Sequence, residues 1–207
     1  MSNARVKHIN VDLSAVTLNN PKETTDGSNG QLIENALEDM GFPIDRSATT
    51  DLPGMEVKSK SLYSSADWSI GRMTYAAIVN TPWADSTVKK KMQKQYQVTI
   101  AENPSDASGV VTSAKVVDFT NPKIQEKLEA AYEECRQKLI DSGSYKHGTV
   151  RSDFAYFEYK NGNSYQFRIK NAKMNILKRF LLDKIKKYKS KGIIDIDFYF
   201  SNTNIVV

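Results

Sequence analysis

The sequence predicts an α/β (α+β) protein, because helix-like and strand-like spacings of apolar residues occur together in one chain of 207 residues. The helical period appears in Ile33, Ala36, Leu37 and Met40, and again in Ile124, Leu128, Ala131, Tyr132, Cys135 and Leu139. The alternation of a strand appears in Tyr96, Val98 and Ile100, and in Tyr165, Phe167 and Ile169. At this length the chain can bury a proper core, as one large domain or two small lobes.

Taken in order, residues 1–29 are polar, with a short apolar alternation at Val11, Leu13 and Ala15 and a loop-like run to Asn29, and are expected to form an arm and loop. The first helix begins near Gly30 and is stopped by Gly41 and Pro43. Residues 60–80, with Trp68, Arg72 and Tyr75, read as loop and strand. Thr87 to Lys94 carries Lys89, Lys90, Lys91 and Lys94, and leads into the Tyr96 strand. Val110 to Phe119 reads as a further strand after the turn at 103–109. Asn121 and Pro122 supply an N-cap and a proline at the first helical position, and Ser142-Gly143 closes the long helix that follows. Phe154 to Lys160, Asn161-Gly162 and Ser164 to Lys170 read as a β-hairpin. An amphipathic helix follows over Ile176, Leu177, Phe180, Leu181 and Ile185, and a closing strand over Ile194 to Phe200.

Composition narrows the chemistry. The formal charge is +5, which favours a polyanionic partner. Ten Lys or Arg lie between Arg168 and Lys191 against Asp183 alone, so the rest of the chain is net acidic, and such asymmetry is a footprint for nucleic acid. A solvated basic helix is the plainer alternative. Cys135 is the only cysteine, and His8 and His147 the only histidines, which excludes a disulfide framework and a cysteine- or histidine-rich metal site. No apolar run near Met1 resembles a signal peptide and none has the length of a membrane span, so the expectation is a cytoplasmic protein with no membrane partner.

The chemistry concentrates in Asp51-Leu52-Pro53-Gly54-Met55-Glu56-Val57-Lys58-Ser59-Lys60. In a strand Glu56 and Lys58 share one face while Met55 and Val57 face a core. Asp51 is an odd number of residues from Glu56, so a straight strand separates the two acids; a bend at Pro53-Gly54 brings them together beside Lys58. Two converging carboxylates suit a hard cation such as Mg2+, with Mn2+ able to substitute. A nearby ammonium stabilises charge at an attacked phosphate or orients the attacking water. Glu34, one helix earlier, is a candidate third acid. An ordinary amphipathic strand with a solvated Glu and Lys is the competing interpretation. On the hairpin, Gln166, Arg168 and Lys170 share the face opposite Tyr165, Phe167 and Ile169, and with Lys60, Lys94 and Lys173 are the candidate DNA contacts.

The order Gly30-Gln31-Leu32-Ile33-Glu34, then Asp51 to Lys58, resembles the active-site region of the MutH family within the PD-(D/E)XK nucleases, which comprises a mismatch-repair nicking enzyme and GATC-cleaving restriction endonucleases. Val88 to Ile100 is similar to the family's lysine-bearing segment, Ile124 to Ser142 to its long central helix, and Tyr165 to Lys173 to its strand ending in Arg and Lys. The resemblance spans roughly Gly30 to Phe180. It implies a restriction-endonuclease-like fold over residues 30–207, a mixed central sheet flanked by helices, with two lobes around a DNA cleft. It further implies Asp51 and Glu56 as metal ligands, Lys58 as a catalytic lysine, Glu34 as an accessory acid and Lys91 or Lys94 as a further active-site or phosphate-binding lysine. The implied activity is Mg2+-dependent endonuclease cleavage of double-stranded DNA, site-specific, leaving 5′-phosphate and 3′-hydroxyl, by a monomer or homodimer in a bacterial or phage-infected cell. Asp51 and Glu56 are closer together than in the repair enzyme, and the C-terminal tail departs from the family. A structure-specific or non-specific nuclease, and a non-catalytic DNA-binding protein of the same fold, remain the alternatives.

Overall fold

The computed structural model describes residues 8–10, 17–18, 29–102, 109–143, 148–179 and 204–206. In chain order these form β1 (His8–Asn10), β2 (Thr17–Leu18), α1 (Asn29–Asp39), β3 (Glu56–Ser61), β4 (Trp68–Thr74), α2 (Tyr75–Asn80), a 3-10 turn (Trp83–Asp85), α3 (Thr87–Lys91), β5 (Lys94–Glu102), β6 (Gly109–Asp118), α4 (Pro122–Ser142), β7 (Thr149–Arg151), β8 (Ala155–Lys160), β9 (Ser164–Ile169) and β10 (Asn204–Val206), with residues 171–179 also helical. The protein is therefore mixed α+β. None of the described helices is long and apolar enough to cross a membrane.

The chain divides into two compact units. The first contains β1, β2, α1, β3, β5, β6 and β10, and its main sheet has the order β2-β6-β5-β3. β3 and β5 run parallel; β5 and β6, and β6 and β2, run antiparallel. A parallel pair needs a long crossover, and here residues 62–93 supply it by passing through the second unit. Tyr96, Val98 and Ile100 on β5 and Val57 on β3 are buried on one face of this sheet, where Ile33 and Leu37 of α1 join them with Leu52, Met55, Val111 and Ala114. At about 1.5 to 3 kcal/mol for each large apolar side chain removed from water, this cluster is what fixes α1 against β3 and β5. Met40 stays exposed, because α1 ends before it and Gly41 turns the chain with φ of 86°.

The second unit contains β4, α2, the 3-10 turn, α3, α4, β7, β8, β9 and the helical residues 171–179, and its sheet, β4-β9-β8-β7, is antiparallel throughout. The segment read as loop and strand yields β4 followed directly by a helix, α2, whose N-cap Thr74 hydroxyl accepts from Ala77 N at 3.2 Å. α4 begins as the sequence predicts, with Asn121 Oδ1 accepting from Lys123 N at 3.1 Å, and ends at Gly143 with φ of 57°. All six residues of its apolar stripe are buried, Cys135 included. Tyr132 of that stripe meets Phe157 and Phe167 edge-on, with ring centroids 5.6 and 5.7 Å apart, so α4 is packed on the β8–β9 hairpin. The hairpin turn has three residues, Asn161 to Asn163, because β8 and β9 pair Lys160 with Ser164. Gly162 and Asn163 both adopt left-handed backbone, φ of 71° and 60°.

Where the sequence predicts a mixed central sheet, the described residues form two four-stranded sheets, one mixed and one antiparallel, and a two-stranded β1–β10 sheet. An antiparallel sheet built from hairpins leaves one face polar and needs a helix on the other only, so β4, β7, β8 and β9 form their own core with α4. The alternation of Val11, Leu13 and Ala15, His147, the strand predicted at 194–200 and the lysines at 184, 186, 187, 189 and 191 lie outside the described residues.

Candidate active site

The acidic motif folds as a turn that doubles back on itself. Leu52 N donates to Met55 O at 2.9 Å and Met55 N to Leu52 O at 3.0 Å. Pro53 sets φ at the second turn position and Gly54 has φ of 70° at the third, the pattern of a type II turn. Leu52 and Met55 are buried and anchor the turn in the core of the first unit. The reversal carries the Asp51 side chain past the turn to the start of β3, where Val57 N donates to Asp51 Oδ2 at 2.8 Å. The Pro53-Gly54 bend expected from the sequence is present, and it brings Asp51 to the backbone at Val57.

Glu56 and Lys58 share a face of β3, as the alternation requires, and Lys58 Nζ lies 2.5 Å from Glu56 Oε1. Glu56 is not solvated: its side chain is 1% exposed and that of Lys58 20%. Glu34 projects from α1 into the same electrostatic neighbourhood. Burial raises its pKa first, and the negative charge of Asp51 raises it further; Arg46 and Lys58 oppose the shift, and Glu56 adds to it. Arg46 comes from the loop after α1, with Nε 3.6 Å from Glu34 Oε2, NH1 2.8 Å from Glu38 Oε2 and NH2 donating to Asn35 at 2.8 Å. Glu34 thus feels the charges of Asp51 and Glu56 on one side and of Arg46 and Lys58 on the other.

Two further residues belong to this face. β3 and β5 are in parallel register, with Glu56 opposite Gln95 and Lys58 opposite Gln97. Both glutamines are buried, at 0% and 3% exposure, and Gln97 Nε2 donates to Gln95 Oε1 at 2.9 Å. The sequence shows them only as the polar alternates of Tyr96 and Val98. Arg46 carries no signal in the sequence beyond its charge.

The remaining predicted site residues lie elsewhere. Lys60 follows Lys58 on the same face of β3, half-buried. Lys94 opens β5, exposed, 4.0 Å from Asp118. Lys91 belongs to the second unit, on α3, where its aliphatic chain covers Gly71 of β4. Within the first unit the gathered group is therefore Glu34, Asp51, Glu56 and Lys58. Gln166, Arg168, Lys170 and Lys173 are also in the second unit, and Arg168, Lys170 and Lys173 donate to partners there. Arg168 Nε donates to Glu158 Oε2 at 2.6 Å and NH1 to Asp67 O at 3.3 Å. Lys170 Nζ donates to Ser152 O and Asp153 O, both at 2.9 Å, and Lys173 Nζ to Asp153 Oδ2 at 2.5 Å. Lys160 joins Arg168 on Glu158 and, with it, holds that carboxyl below its ordinary range. Of the row of donors that the sequence presents, Arg168 and Lys170 are tied to Glu158 and to the loops at Asp67 and Ser152–Asp153.

The donor set fits a hard cation in its chemistry, with carboxylate oxygens from Asp51 and Glu56. Among the described residues no three Asp, Glu, His or Cys side chains converge as a ready-made metal shell, so the protein alone would supply two ligands. Mg2+ is commonly held that way, by one or two carboxylates with waters and substrate phosphate completing the shell. Comparison with known proteins adds no assignment: the chain matches no family model and no curated protein.

Proposed function

We propose that this chain is a Mg2+-dependent DNA endonuclease of the restriction-endonuclease-like class, acting on double-stranded DNA at specific sites and leaving 5′-phosphate and 3′-hydroxyl ends. The observation that carries the proposal is the turn at Leu52 to Met55, which returns the Asp51 carboxylate to the first residues of β3, the strand that carries the Glu56–Lys58 pair. The fold assignment rests on the same region: α1 carries Glu34 immediately before the acid-bearing turn, and the strand after it is paired in parallel. The excess of positive charge toward the C-terminal side supports a polyanionic substrate.

Asp51 and Glu56 would hold the cation, which when bound lowers the pKa of a coordinated water and polarises a phosphoryl oxygen. Lys58 would supply the positive charge of the site, orienting the attacking water or offsetting charge gathering on the phosphate. Glu34, with its pKa raised, is a better proton acceptor than an ordinary glutamate and would be the group to accept a proton from the attacking water. Water oxygen bonds to phosphorus, the bond from phosphorus to the 3′ oxygen breaks, and the 3′ oxygen leaves as a hydroxyl after protonation from solvent.

A second reading, a DNA-binding protein without catalysis, is favoured by one observation: Lys58 already neutralises Glu56, as in a structural ion pair. Supercoiled plasmid incubated with wild type and with Lys58→Ala, in Mg2+ and in EDTA, separates the two. Nicked or discrete linear products with wild type and Mg2+ alone support the nuclease. Intact plasmid in every lane, with DNA binding indifferent to Mg2+, supports the binding protein. A panel of nicked, branched and single-stranded DNA distinguishes a structure-specific or non-specific nuclease from a site-specific one.

A further inference from the structure

The buried amide of Gln97 has no role in the chemistry above and an unmet need. Its side chain is 3% exposed, its Nε2 donates to Gln95, and its Oε1 accepts no hydrogen bond among the described residues. A buried acceptor left without a donor carries a desolvation penalty, and such exceptions call for a reason. Gln97 is also the register partner of Lys58 on the neighbouring parallel strand. Register partners on adjacent strands lie about 4.8 Å apart and point their side chains to the same face.

Lys58 has a corresponding difficulty. Its ammonium sits on Glu56 Oε1, one of the atoms that a cation held by Glu56 would claim. A divalent ion there repels the ammonium, which must move and must find another acceptor in a largely buried place. We propose that Gln97 is the positioning residue for Lys58: when a divalent cation takes the Glu56 carboxylate, the Gln97 side-chain carbonyl accepts the Lys58 ammonium. The lysine then has two seats, one on Glu56 in the cation-free protein and one on Gln97 in the loaded protein. In the second seat it lies beside the cation rather than in its place. This rests on the hydrolytic reading of the same site.

The test uses Ca2+ binding by calorimetry, which requires no turnover, on the full chain with Gln97→Leu, Lys58→Met, the double variant and Glu56→Gln. Gln97→Leu strands Lys58 on Glu56, so Ca2+ affinity falls about tenfold, the size of one hydrogen bond to a charged group. With Lys58→Met the same leucine substitution has no effect on affinity, since there is no ammonium to reseat. An equal fall in both backgrounds gives Gln97 a purely structural role and overturns the proposal while leaving the cation site standing. No Ca2+ binding by wild type, or binding unchanged by Glu56→Gln, overturns the hydrolytic reading and this proposal with it. If Lys58→Met does not fold, the ε-ammonium resonance of Lys58, assigned by its loss in Lys58→Arg, decides the matter. Ca2+ shifts it in wild type and not in Gln97→Leu; a shift of equal size in both overturns the proposal.

Discussion

Lys58→Met isolates the energetics of the site. Glu56 is 1% exposed and Lys58 Nζ is 2.5 Å from its Oε1, so the substitution leaves a carboxylate buried without its countercharge. Removing one partner of a buried ion pair costs about 3–5 kcal/mol. Lys58 retains 20% exposure, which lets water reach the pair and places the expected loss at the lower end, about 3 kcal/mol. With a urea slope of about 2 kcal/mol per molar, the unfolding midpoint followed by circular dichroism falls by about 1.5 M. Adding Glu56→Gln to Lys58→Met removes the stranded charge and recovers most of the loss, because replacing both partners of a buried pair is far milder than breaking it. A single variant within about 0.5 kcal/mol of wild type, the scale of an ordinary surface change, would refute the burial argument.

Three further outcomes follow from the same geometry. Glu34 has a folded-state pKa above its unfolded value, so the stability it contributes is present below the unfolded value and is lost as pH rises through the folded one. Glu34→Gln should therefore melt higher than wild type at about pH 7 and level with it at about pH 3; a difference that does not change with pH counts against the shift. Gly54 has φ of 70° with open space where a Cβ would stand, so Gly54→Ala costs about 1–2 kcal/mol through backbone strain alone, and a melt indistinguishable from wild type would remove the turn from the argument. Arg168 donates to Glu158 and to the Asp67 carbonyl, so Arg168→Ala costs about 1 kcal/mol of stability at its partial exposure and lowers the thermal midpoint accordingly. A variant that keeps the wild-type midpoint and loses DNA binding in a gel shift would restore Arg168 to the role of a simple DNA contact.

Local features of this molecule are legible because short-range rules govern them. The Asn121-Pro122 start, the stripe from Ile124 to Leu139 and its end at Gly143 follow from capping and from one buried helix face. The Pro53-Gly54 bend follows from backbone angles that few residue pairs permit. What depends on register is not legible in this way. β3 and β5 are joined by residues 62–93, of which 65–93 belong to the other unit, so nothing local places Gln95 opposite Glu56 or Gln97 opposite Lys58. The same limit explains the basic hairpin. Alternation puts Arg168 and Lys170 on the polar face, but only the folded positions of Glu158, Asp67 and Asp153 show how many of their donors are already engaged. The division into two sheets likewise depends on where the crossover from β3 travels, which its composition does not record.

The claim that Asp51 and Glu56 serve hydrolysis is tested most directly by single-turnover cleavage of an end-labelled plasmid with wild type, Asp51→Asn and Glu56→Gln in Mg2+. Both substitutions keep the shape of the side chain and remove its charge. The expected result is cleavage by wild type that EDTA abolishes, slowed about a hundredfold or more in each variant, the scale seen when a group acting in the transition state is lost. Variants that are folded and cut at the wild-type rate would contradict it.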